Sequence, residues 1–176
     1  MVCITPYNDD MATVIREATP ADVPQILDFI RALAAYEREP DAVTATEADL
    51  LRDGFGPNPI FFCLMAEEDC AAAGFAFYFF SYSTWLGKAG LYLEDLFVKP
   101  HARGQGAGAA LLRELARIAK RRGCGRVEWS VLDWNEPSIA FYRKLGAVPM
   151  DEWTTFRLTG EALDRLASGA SDILSV

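Results

Sequence analysis

The sequence predicts a single mixed α/β domain. Three observations carry this. Strand-like and helix-like segments alternate in the order β, α, α, β, β, β, α, β, α, β. Residues 91–132 read as a strand–helix–strand unit, which calls for parallel strands and a right-handed crossover. No repeat, linker or low-complexity run divides the 176 residues, a length that can bury one real core. The expected domain spans 11–170, with a disordered polar tail at 1–10 and a short C-terminal tail at 171–176.

The elements follow from local pattern. "ATVIREA" (12–18) alternates as a strand. Thr19 then caps a helix with Pro20 at its first position and Asp22 in its first turn; Ile26, Leu27, Ile30, Leu33 and Ala34 recur at helical spacing until Pro40. "TATEADLLRDGF" predicts a second, short helix, with Thr44 and Glu47 spaced as a capping box. "IFFCLMAEE" and "AAGFAFYFFSYS" have the aromatic and β-branched content of strands and meet at an acidic turn at Asp69. "LYLEDLFVK" (91–99) is another strand, in which alternation sends Glu94 and Asp95 to opposite faces. A helix to about Arg122 carries Leu111, Leu112, Leu115, Ile118 and Ala119 on one face, and Gly123 and Gly125 end it. "RVEWSVL" predicts a strand, "NEPSIAFYRKLG" a helix from near Pro137 to Gly146, "WTTFRL" a last strand and "TGEALDRLA" a last helix.

Composition narrows the chemistry. Half of the residues are hydrophobic (51%) and 24% are charged, as in ordinary soluble proteins. No apolar run approaches the ~20 residues of a membrane helix. The start lacks a basic-then-apolar leader, so no membrane association and a cytoplasmic location are expected. A net charge of −8 disfavours nucleic acid and is compatible with a cationic small molecule, though acidity also serves solubility alone. The four cysteines form no C-x-x-C pair and there is one histidine, His101, so neither a metal site nor a disulfide framework is expected; the thiols read as packing residues. Acid–base work must then fall to carboxylates, tyrosine or His101.

"RGQGAG" (103–108) stands where a strand becomes a helix. Glycine permits unusual backbone angles and leaves no Cβ in the way of a ligand. The helix behind it aims free N–H groups and its positive dipole end at that space, which suits a phosphate pair, and Arg103 could add a charge-assisted bond. The spacing fits neither G-x-x-x-x-G-K-[ST] nor G-x-G-x-x-G. Taken alone, the glycines could equally serve close packing of helix on strand.

The wider sequence bears on that choice. R-x-x-G-x-G after "DLFVKPHARG", together with "VLDWNEPSIAFYRKLGA" (131–147), resembles the acetyl-CoA loop and downstream helix of the GCN5-related N-acetyltransferase (GNAT) superfamily. "LYLEDLFV", "WNEPSIAFY", "AAYE" and "DLLRDGFG" are similar to its diamine (spermidine/spermine) N-acetyltransferase subfamily, over residues of about 13 to 167. The resemblance implies a GNAT fold: a mixed, mostly antiparallel central sheet, a parallel β-α-β acetyl-CoA-binding unit and flanking helices. It implies acetyl transfer from acetyl-CoA to a primary amine of a polyamine or diamine, without metal, by direct attack in a ternary complex. A lysine-like acceptor such as thialysine and a non-catalytic acetyl-CoA sensor are the alternatives.

Such a reaction poses two proton problems. An alkylammonium titrates near ~10.4, so about one molecule in 10³ is a neutral nucleophile at pH 7; the departing thiolate also prefers a proton. The resemblance assigns Glu94 as base, through a water, and Tyr142 as acid. It places backbone groups of Leu96, Phe97 and Val98 on the thioester and pantetheine, where the strand before the loop parts from its parallel neighbour. Arg103, Gly104, Gln105, Gly106, Ala107 and Gly108 fall on the pyrophosphate, and Asn135, Ser138 and Tyr142 on the pantetheine arm. Tyr36, Glu37, Glu94, Asp95, Glu152 and Trp153 fall on the amine, where acidic and aromatic side chains suit an ammonium chain. A homodimer is also implied.

Overall fold

A computed structural model describes residues 13–169. The expected tails, 1–10 and 171–176, lie outside the described residues. The chain divides into two compact units, one up to Ser130 and one from Val131 onward.

In the first unit, β1 (Val14–Glu17), β2 (Phe62–Glu68), β3 (Ala71–Ser83), β4 (Lys88–Val98) and β5 (Arg126–Trp129) form one sheet in sequence order. The β1–β2, β2–β3 and β3–β4 pairs are antiparallel, and β4–β5 is parallel, Gly90 opposite Arg126 through Leu93 opposite Trp129. The helix between β4 and β5, α3 (Ala107–Arg121), makes this last pair possible, as the strand–helix–strand pattern requires. β5 stops at Trp129, sooner than predicted, so β4 runs on from Glu94 to Val98 with only β3 as a ladder neighbour among the described residues.

Two helices pack on one side of the sheet. A 3₁₀ turn (Pro20–Asp22) leads into α1 (Val23–Tyr36); α2 (Glu47–Phe55) follows. Val23, Ile26, Leu27 and Phe29 of α1 and Leu50 of α2 bury against Cys63, Met65, Phe75 and Phe97. Phe29 lies 5.5 Å from Phe75 and 5.7 Å from Phe97, ring centre to ring centre. Each such buried ring contributes roughly 1.5–3 kcal/mol by burial alone. The capping box of α2 is Thr46 with Asp49, one dipeptide beyond the predicted Thr44 and Glu47, because the segment "TATEAD" offers the same spacing twice. Arg16 of β1 binds both oxygens of Asp22 at 2.7 Å and reaches Glu67 at 2.8 Å. That bond to Arg16 holds the Asp22 carboxyl well below the usual range and ties the first strand to the entry of α1.

The second unit holds α4 (Glu136–Lys144) and α5 (Gly160–Ala167). The predicted strand 153–158 does not form: the stretch is irregular, and Trp153 and Phe156 are exposed. Alternation alone cannot make a strand; a neighbouring strand must supply hydrogen bonds. Cys63 is buried and free, as expected, and Cys124 is free. Cys70 departs from expectation: it lies exposed in the β2–β3 turn and is disulfide-bonded. Among the described residues no helix is long and apolar enough to cross a membrane.

Candidate active site

The β3–β4 ladder pairs Tyr78 with Leu93 and Phe77 with Asp95. Glu94 is therefore an extra residue in β4, a β-bulge. The bulge shifts the alternation of β4 by one residue between Leu93 and Asp95. Tyr92, opposite Phe79, and Asp95, opposite Phe77, share the face that packs toward α1, since Phe77 belongs to the core beneath that helix. Asp95 is half-buried there and Glu94 is exposed.

This placement sets the electrostatics. Burial pushes the Asp95 carboxyl up to about 6, and the negative charges of Glu94 and Glu37 add to the shift. Glu37, which caps the end of α1, is itself raised by burial. No hydrogen bond or ion pair engages these three carboxylates among the described residues. Three like charges in a partly dry place repel one another. Tyr36 precedes Glu37, and its ring stands 5.1 Å from the Arg103 guanidinium carbon.

The glycine turn is bare main chain. Gly104 and Gly106 have φ of 79° and 96°, and a Cβ at either position would meet nothing within 4 Å. Close packing therefore does not require glycine at these two positions, whereas their positive φ does. Two side chains of the turn fold back on its own backbone: Arg103 Nε donates to Val98 O at 2.9 Å, and Gln105 Nε2 to His101 O at 3.0 Å. The first helical bond of α3 runs from Ala110 N to Gly106 O, so the N–H groups of Ala107, Gly108 and Ala109 have no acceptor within the helix and none among the described residues. An open turn, unpaired donors and a helix N-terminus fit a diphosphate.

In the second unit, the Asn135 side chain caps α4, accepting from Ser138 N at 3.4 Å. Tyr142 lies two helical turns on, along the same face of α4 as Asn135. Glu152 and Trp153 sit on a turn of their own, where Trp153 N donates to Met150 O at 3.2 Å. The structure thus gathers Tyr36, Glu37, Glu94, Asp95, Leu96, Phe97, Val98 and the 103–108 turn in one unit, and Asn135, Ser138 and Tyr142 on one helix of the other. Sequence reasoning passed over Ser130, whose Oγ lies 3.0 Å from the Tyr92 hydroxyl. In sequence it falls inside the predicted strand 126–132, with no motif to mark it.

Residues 24–147 match the Acetyltransferase (GNAT) family. The chain is 43% identical over 169 residues to the thialysine N-epsilon-acetyltransferase of Sus scrofa, covering 89% of this chain and 99% of that protein. It is also 43% identical over 159 residues to the human spermidine/spermine N(1)-acetyltransferase-like protein 1, covering 85% of this chain and 23% of that one. Among solved structures, an integron cassette protein from the mobile metagenome of V. cholerae superimposes with a TM-score of 0.75 at 28% identity, over 89% of this chain and 98% of that one. The family match over 24–147 and the relatives agree: the chain belongs to the GNAT acetyltransferase family.

Proposed function

We propose that this acetyltransferase moves the acetyl group of acetyl-CoA to a primary amine of a small polyamine or diamine, within one ternary complex formed by a domain spanning 11–170. The observation that carries the acceptor class is the set of unpaired carboxylates, Glu37, Glu94 and Asp95, beside Tyr36: a cation relieves their mutual repulsion and gains cation–π attraction. Glu152 and Trp153 join that acceptor set by resemblance.

Acetyl-CoA, when bound, supplies an activated thioester. The backbone of residues 103–108 grips its diphosphate, with Arg103 at the edge. The β4 backbone over Leu96, Phe97 and Val98, which lacks β5 as a neighbour, offers main-chain groups to the thioester and pantetheine. Asn135 and Ser138 hold the pantetheine arm. Glu94, exposed on its bulge, takes the ammonium proton through water, and Asp95 holds the cation. Tyr142 donates its phenolic proton to the departing sulfur. Tyr142→Phe should therefore lower kcat about 10- to 1000-fold while acetyl-CoA KM holds, as steady-state kinetics will read.

A second reading keeps the chemistry and exchanges the acceptor for a lysine-like amino acid. The near-complete coverage of the Sus scrofa thialysine enzyme favours it. Thiol release from acetyl-CoA with a panel of spermidine, spermine, diaminopropane, thialysine and ornithine separates them. Release with polyamines is the expected result. Release with thialysine alone moves the acceptor, and no release with any amine sinks the transferase reading. The enzyme is further proposed to be a cytoplasmic homodimer, for which light scattering must return twice the chain mass.

A further inference from the structure

β4 and β5 stay paired only from Gly90–Arg126 to Leu93–Trp129. Tyr92 stands within the paired stretch, opposite Glu128, and its hydroxyl meets that of Ser130, one residue beyond β5, with Oη and Oγ 3.0 Å apart. The tyrosine ring cannot swing away freely, because Phe79 stacks on it at 5.2 Å with 29° between the planes. Ser130 itself is exposed. The register places Tyr92 on the same face of β4 as Asp95, three residues before it and near the end of the β4–β5 pairing.

An attacking amine has needs beyond a carboxylate. Its lone pair must point at the acyl carbon, so its remaining N–H groups must be held elsewhere. A carboxylate can take one. A serine oxygen whose own proton is committed to a neighbouring hydroxyl keeps its lone pairs for another. The Tyr92–Ser130 contact allows that arrangement, since either atom can be the donor.

We propose that Ser130 Oγ accepts a hydrogen bond from the reacting amine, and that Tyr92 is a positioning residue that orients the Ser130 hydroxyl for it. This rests on the acetyl-transfer reading above. The pair works as a selector for acceptors with a primary nitrogen, which alone can offer N–H groups to both Ser130 and the carboxylates while its lone pair attacks.

The test uses the full chain with acetyl-CoA and the amine panel, in Ser130→Ala, Ser130→Thr and Tyr92→Phe. Acceptor KM should rise about 3- to 10-fold in Ser130→Ala, the scale of one neutral hydrogen bond, with acetyl-CoA KM within about twofold. Ser130→Thr, which keeps the hydroxyl, should restore acceptor KM. Tyr92→Phe should raise it less, and the double variant Tyr92→Phe/Ser130→Ala should be no worse than Ser130→Ala alone. Calorimetry of acceptor binding to the enzyme saturated with coenzyme A gives a readout that needs no turnover, and the same weakening is expected there. Unchanged acceptor affinity in Ser130→Ala overturns the proposal, as does a loss that Ser130→Thr fails to rescue, or one that appears equally in acetyl-CoA KM. A wild-type enzyme that releases thiol while the variants match it sinks this inference alone; a wild type that binds no amine and releases no thiol sinks the transfer reading with it.

Discussion

Gly106→Val should weaken coenzyme A binding about 10²- to 10⁴-fold, measured by calorimetry as Kd. Gly106 sits at φ 96°, where a β-branched residue is strained by roughly 1–3 kcal/mol. Relaxing that strain re-aims the first turn of α3, and with it the N–H groups of Ala107 and Gly108. Hydrogen bonds to a charged group are worth about 1.5–3 kcal/mol each, so losing two removes roughly 3–6 kcal/mol, which sets the expected range. The valine side chain also enters space that is open in this structure. Gly87 provides the matched control. It too has positive φ, 61°, with nothing within 4 Å of its added Cβ, but it lies in the turn between β3 and β4. Gly87→Val should lower the melting temperature comparably and leave Kd unchanged. Equal binding by both variants would remove the glycine turn from the cofactor site.

Local pattern was enough for most of the architecture. Thr19–Pro20–Asp22, the Leu111–Ala119 stripe and Asn135 before Pro137 mark helix starts and faces through interactions within a few residues, and the structure keeps them. The glycine turn was also readable, because bare backbone at a strand–helix joint has few physical uses. What escaped depends on partners distant in sequence. The bulge at Glu94 arises from the register of β4 on β3, set by the Tyr78–Leu93 and Phe77–Asp95 pairs, and nothing in "LYLEDLFV" announces an extra residue. The same holds for Ser130, which gains a role only because β5 ends beside Tyr92. Residues 153–158 failed in the opposite sense: their alternation is real, but a strand needs a neighbour.

Asp95→Asn should lose activity and gain stability, and the pair of effects identifies the role of this carboxylate. Removing one partner of a part-buried charge pair costs about 2–5 kcal/mol, so kcat/KM for the amine should fall roughly 30- to 4000-fold at pH 8. In the wild type, kcat/KM should decline as pH drops through about 6, where Asp95 takes up a proton and ceases to attract the ammonium. Asp95→Asn should lack that acid limb. Stability runs the other way. The folded-state value, about 6, lies above the ordinary 3.8, so the folded protein binds the proton more tightly than the unfolded chain. The stabilising contribution of protonated Asp95 is complete below 3.8 and is lost as pH rises through about 6. At pH 8 the buried charge therefore burdens the fold, by about 1–3 kcal/mol once partial solvent screening is allowed for. Asparagine keeps the shape without the charge, so Asp95→Asn should melt a few degrees higher at pH 8 and match the wild type at pH 4. A variant that loses activity but melts lower at pH 8 would mark Asp95 as a structural support; one that keeps its kcat/KM would leave the cation to Glu37 and Glu94. Higher stability with lost activity is the signature of a charge held in place for a substrate, because only the arriving ammonium offsets the cost of keeping it there.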